Sequence, residues 1–123
     1  MKFAKVVLNL AGIYGILILT PGLFMEQRFN VEHPPAVTHP EQYYGFICVA
    51  LAFQFVFLIM ARDPVRYRMF FIPSFLEKGL YGIAAIWLYW NGRIDKLIFG
   101  VSCIDLFLLV LFIIAYIKTP KEV

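Results

Sequence analysis

The chain has 123 residues, of which 62% are hydrophobic, 18% aromatic and 15% charged, with a formal net charge of +3. A soluble domain keeps its large surface wetted with about 25% charged residues. This composition therefore speaks against a soluble globular domain, a disordered tail and a nucleic-acid module, and for an integral membrane protein.

A helix needs about 20 apolar residues to cross the hydrocarbon core. Twenty uncharged residues separate Lys5 from Glu26, which predicts a first helix over about 4–24. The run closes with Leu19-Thr20-Pro21-Gly22 and has no small-residue cleavage site, so it is expected to be retained rather than removed as a signal peptide. Twenty more lie between Glu41 and Arg62, predicting a second helix over about 39–62. There Thr38 is the expected N-cap, Pro40 sits in the first turn, and Asp63-Pro64 ends the helix. Arg66, Tyr67, Arg68, Phe70 and Phe71 then suit a short segment in the membrane interface.

Only 14 uncharged residues separate Lys78 from Arg93, too few to span alone. The third helix is therefore placed over about 75–91. Ser74 and Glu77 form a capping box, Lys78 snorkels to the headgroups, and Asn91-Gly92 is the stop. The fourth helix covers 96–118, where 21 residues between Lys96 and Lys118 are interrupted only by Asp105. The fold class predicted is all-α: an integral membrane antiparallel four-helix bundle in one transmembrane domain, 1–123. Small residues expected at its seams are Ala11 and Gly15, Cys48 and Ala52, Gly79 and Gly82, and Gly100 and Cys103.

Lysine and arginine distribute unevenly. Lys2, Lys5, Arg62, Arg66, Arg68, Lys78, Lys118 and Lys121 fall on one side, and Arg28, Arg93 and Lys96 on the other. The positive excess marks the cytoplasmic face, so both termini are expected in the cytoplasm and the Met25–Val37 loop outside. The basic flanks are topology and headgroup signals, with no nucleic acid implied. Trp87, Tyr89 and Trp90 suit an interfacial belt at the outer end.

Asp105 carries the strongest chemical signal. It lies roughly 12 Å into its helix, where an ionised carboxylate costs roughly 2.5–3.5 kcal/mol. It should face the interior, with Ser102 one turn away and Tyr14, Gln54 and Tyr81 at similar depth. One reading is a proton-titrating or ligand-anchoring group; the other is a satisfied carboxyl that holds helix register. Lys78 starts about 9 Å nearer the cytoplasm by helix rise, so no direct pair is expected. Asp105 should then be protonated and donate a hydrogen bond to a tyrosine, Gln54 or a water. Asn9, Glu77 and Lys78 form a second polar layer. Glu77 and Lys78 either line a cavity mouth as an ion pair or serve as cap and snorkel, and the second is favoured. Asn9 and Gln54 are expected mainly as interhelical hydrogen-bond glue.

The candidate ligand-binding set is therefore Asp105, Ser102, Tyr81, Gln54, Lys78, Glu77, Asn9 and Tyr14. In the outer loop His33, His39 and Glu41 are metal-ligating or catalytic residue types, but their spacing matches no standard motif. Cys48 and Cys103 lie at similar depth and are expected as small buried packing residues rather than a disulfide.

The stretch HPPAVTHPEQYYGFICVALAFQ followed by ARDPVRYR resembles an uncharacterised family of small bacterial four-helix inner-membrane proteins. The resemblance extends through PSFLEKGLYG and the Asp105 helix. It implies a multi-pass protein of the cell inner membrane and carries no activity with it. More distantly, the layout resembles the DoxX-like group. It departs from small multidrug-resistance transporters, whose coupling glutamate lies in the first span, where this chain has only Asn9 and Thr20.

Three functions fit these residues. The chain binds a small apolar or amphipathic ligand, a lipid or a quinone near Asp105. Alternatively it is an accessory subunit of a larger membrane complex, or a membrane enzyme using His33, His39 and Glu41. The bilayer is the one partner all three share; the cofactor is unknown.

Overall fold

The computed structural model describes residues 2–32 and 38–120. Among them it is all-helical, with no strand. Helix α1 covers Lys2–Leu19 and runs into a 3-10 turn, Thr20–Phe24. Pro21 explains the change, because it has no N–H to continue the α-helical ladder to the carbonyl four residues back. A short helix α2, Glu26–Glu32, follows within the loop. Helix α3 is Pro40–Arg62, and a 3-10 turn at Arg68–Phe70 leads into α4, Phe71–Trp90. Helix α5 is Lys96–Lys118. Four stretches of 23 residues are long and apolar enough to cross a membrane: Lys2–Phe24, Pro40–Arg62, Arg68–Trp90 and Lys96–Lys118.

Several predicted boundaries need correction. The third long helix starts at Phe71 instead of near residue 75, so Ser74 is inside it. The Ser74 hydroxyl donates to Phe70 O at 2.7 Å, one turn back, and is no N-cap. The sequence placed Pro73 outside the helix, yet a proline in the first turn removes only an N–H that has no helical partner. Thr38 is not the cap of α3 either; His39 is, without a side-chain hydrogen bond. The Asn91-Gly92 stop is as expected. Gly92 has φ +69°, its N–H reaches Tyr89 O at 2.9 Å, and Arg93 N reaches Leu88 O at 2.8 Å. Those two bonds make a Schellman motif, which needs a residue in the left-handed region. Asp95, not foreseen as a cap, closes the start of α5 by accepting from Ile98 N at 2.8 Å.

Each helix turns a narrow stripe inward. On α1 the buried residues are Ala4, Val7, Leu8, Ala11, Gly12 and Gly15, at the three- and four-residue spacing of one helix face. Helix α1 packs along α3 and along α5, and α4 packs along α5. Contacts fall on α3 from Leu58 to Ile47 as α1 runs from Gly12 to Gly22. Between α4 and α5 they run from Lys78–Asp105 through Ser102–Tyr81 to Tyr89–Phe99.

The half holding the start of α1 and the end of α5 is solid. Phe57 packs edge-on to Phe112 with ring centroids 4.9 Å apart, and Phe71 and Phe75 pack around Tyr116. Arg68 covers the end, 3.9 Å over the Tyr116 ring, and its Nε donates to Thr119 O at 2.9 Å. The opposite faces carry large exposed apolar side chains, among them Leu10, Leu17, Val49, Ile83, Phe107 and Val110. Such a surface is unusual for a monomer in water.

The small residues divide. Ala11, Gly15, Gly79 and Gly82 are buried at seams, but Cys48, Ala52, Gly100 and Cys103 are exposed. Cys48 and Cys103 are free thiols on the outer surface, so the buried packing role expected for them is wrong.

Candidate functional site

The other half of the molecule holds a cavity of about 550 Å³. Its apolar wall includes Ile18, Leu19, Phe46, Val49, Ala50 and Val101. Its polar wall is Tyr14 from α1, Gln54 from α3, Glu77, Lys78 and Tyr81 from α4, and Asp105 from α5. Ile18, Gly45, Phe46 and Val49 on the rim are exposed, so the cavity opens sideways through an apolar mouth.

Lys78 lies at the centre of the polar wall. Its side chain is 3% exposed, and Nζ donates to Asp105 Oδ1 at 3.0 Å. Glu77 Oε2 lies 3.8 Å from the same nitrogen, and Nζ stands 5.3 Å over the Phe57 ring. Two expectations fail here. Lys78 points inward instead of snorkelling, and it pairs directly with Asp105. Helix rise places the backbone alone, and the long apolar stem of the lysine carries Nζ the rest of the way to the carboxylate. Asp105 therefore accepts from an ammonium; it does not donate to a neutral partner. The pairing meets the cost of placing a carboxylate in an apolar helix, since a buried charge needs a partner and hydrogen bonds. With no capping box to serve, Glu77 stands beside Lys78 on the cavity wall, which was the less favoured of the two readings for this layer.

Ser102 lies behind this wall, 1% exposed. Its hydroxyl is 2.8 Å from Ile98 O and 3.1 Å from the Tyr81 hydroxyl. Having one proton, it donates to the carbonyl and accepts from Tyr81. That fixes the Tyr81 ring, which stacks on Phe46 at a centroid distance of 5.3 Å. Ser102 is thus a support for the site, outside the lining. Asn9 is exposed on α1 and takes no part in the site or in interhelical bonding.

Gln54 is 2% exposed and its Nε2 donates to Ala50 O at 2.7 Å. A carbonyl at that distance requires the nitrogen there, so the free atom is the oxygen. Gln54 fits because position 15 is glycine: a Cβ there would collide with the amide of Gln54. Among the described residues, three buried side-chain atoms lack a hydrogen-bond partner: Tyr14 Oη, Gln54 Oε1 and Glu77 Oε2. Native proteins satisfy nearly all such atoms, so three on one cavity wall mark a place for a polar ligand group or water.

The sequence singled out these polar residues but missed their apolar partners. Phe57 beneath Lys78 sits three residues after Gln54, on the same face of α3, and that spacing was the available signal. The stacked Phe46 had none beyond being aromatic.

At the start of α3, His39 Nδ1 lies 3.4 Å from Glu41 Oε1, with both side chains mostly exposed. His33 falls outside the described residues. Among those described, no group of three His, Cys, Asp or Glu is placed to hold a metal. No protein-family model, curated protein or solved structure matches the chain.

Proposed function

We propose that the chain is a multi-pass protein of a bacterial inner membrane, an antiparallel four-helix bundle with both termini in the cytoplasm. Within it, the cavity beside Asp105 binds a small apolar or amphipathic molecule, a lipid or a quinone. The observation that carries this reading is the cavity itself: an apolar mouth on the lipid-facing side leads to a polar wall with three unpartnered buried atoms. An amphiphile satisfies both surfaces at once, its body against Phe46 and Val49 and its head against the wall. The four apolar spans, the exposed apolar belt and the Lys/Arg bias support the membrane setting. The likeness of the 33–68 and 73–82 segments to a small inner-membrane family, and the fainter one to the DoxX-like group, belong to the same proposal.

The test is extraction in mild detergent, followed by native mass spectrometry and analysis of bound small molecules. The expected result is a stoichiometric amphiphile on the wild-type chain that is lost from Val49→Trp, which fills the mouth. An empty chain in a fixed complex with a larger membrane protein refutes the reading in favour of an accessory subunit. Metal retained by the His33, His39 and Glu41 loop, with an empty cavity, refutes it in favour of an enzyme.

A further inference from the structure

The polar wall also indicates which head group the cavity takes. Lys78 is already answered on three sides, by Asp105 at 3.0 Å, Glu77 at 3.8 Å and the Phe57 ring at 5.3 Å. Two carboxylates therefore face one ammonium, and the wall is one negative charge in excess when both are ionised. The atoms left over are acceptors. Gln54 Oε1 and ionised Glu77 Oε2 can only accept, and the Tyr14 hydroxyl accepts as readily as it donates. They come from three different helices, α3, α4 and α1, and converge on one cavity. A neutral quinone brings only acceptors and leaves Gln54 and Glu77 unsatisfied. A carboxylate adds a further negative charge to a wall already in excess. A trimethylammonium brings charge but no N–H. A primary ammonium brings one positive charge and three N–H donors, and three oxygens of the wall lack a hydrogen bond, Glu77 Oε2 among them although it also lies 3.8 Å from the Lys78 ammonium.

Resting on the reading above, we infer that the cavity recognises the primary ammonium of an amphipathic molecule through Tyr14, Gln54 and Glu77. The source is either a free long-chain amine or a phospholipid with an ethanolamine head. The apolar tail lies along Phe46 and Val49 and leaves through the sideways mouth.

The test uses the full chain in detergent micelles, with binding followed by native mass spectrometry and calorimetry. The probes are dodecylamine, dodecanol, decylubiquinone, and dioleoyl phospholipids with ethanolamine or choline heads. Dodecylamine is expected to bind more tightly than dodecanol and decylubiquinone, and the ethanolamine lipid more tightly than the choline lipid. Binding of only one of the two amines identifies the source. Glu77→Gln should weaken the amine by about tenfold or more, the loss of one charge-assisted hydrogen bond. Tyr14→Phe removes an unpartnered hydroxyl without disturbing packing, and should weaken the amine but not dodecanol. Equal binding of amine, alcohol and quinone, or amine binding indifferent to both substitutions, overturns the inference while the amphiphile site stands. Binding of no probe overturns both.

Discussion

Removing the Lys78 ammonium tests the electrostatic design of the site directly. Lys78→Met keeps the length and apolar stem of the side chain but leaves Asp105 and Glu77 with no cation. Breaking a buried pair by deleting one partner costs about 3–5 kcal/mol, because the remaining charge is left uncompensated. Asp105 is only partly buried, with 23% of its side chain exposed, so the lower end of that range, about 3 kcal/mol, is expected. Asp105→Asn should cost less, about 1–2 kcal/mol, because Glu77 at 3.8 Å remains to face the ammonium. Combining Lys78→Met with Asp105→Asn removes both charges of the pair, leaves only Glu77 without a cation, and should cost at least about 1 kcal/mol less than the sum of the two single changes. The assay is reversible unfolding in mixed micelles followed by tryptophan fluorescence, analysed as a double-mutant cycle. If the single costs simply add, with a coupling below about 0.5 kcal/mol, the pair at 3.0 Å contributes nothing and the reasoning is refuted.

Other expectations concern the frame around the site. Gly82→Ala brings a methyl group onto the Leu106 side chain, which must shift or push α5 away from α4; thermal unfolding should show a loss of about 1–3 kcal/mol, and an unchanged midpoint contradicts the close approach. Arg68→Ala deletes both the bond to Thr119 O and the ring contact with Tyr116; a loss of about 1–2 kcal/mol, with faster amide exchange at 115–119, is the result to look for. Asp95→Ala should cost about 1 kcal/mol and fray the first turn of α5, again visible by amide exchange. A cysteine introduced at position 33, in a chain whose Cys48 and Cys103 are replaced by alanine, should react with an impermeant reagent only from outside the cell. Reaction from the cytoplasmic side reverses the orientation.

The sequence made the four apolar helices legible because hydrocarbon thickness sets a length that charges then punctuate. Helix starts were harder to read. Ser74 and Glu77 have the spacing of a capping box, but the apolar Met69–Ile72 run before them can extend a helix, and the observed start is Phe71. The Lys78–Asp105 pair was hidden for a different reason: helix rise counts backbone depth and leaves out the reach of the lysine stem. The small residues show a different limit. The apolar residues of α5 do not say which of its faces turns inward; only Asp105 and Ser102 do, and Gly100 and Cys103, placed at a seam, lie off that face. Gln54 and Gly15 were each visible as unusual residues, but their fit is a relation between two helices that no single stretch of sequence displays.

The aromatic packing around Phe57, Phe112 and Tyr116 has a consequence for transport. It closes the bundle on one side of the polar wall, so the cavity is a blind recess and not half of a passage. In a bilayer a recess of this kind equilibrates with one leaflet alone. Its occupancy would follow the composition of that leaflet and be indifferent to a concentration difference across the membrane. On the proposed reading the chain in this conformation would hold an amphiphile without passing it on, and moving one across would require the Phe57, Phe71 and Phe112 rings to come apart.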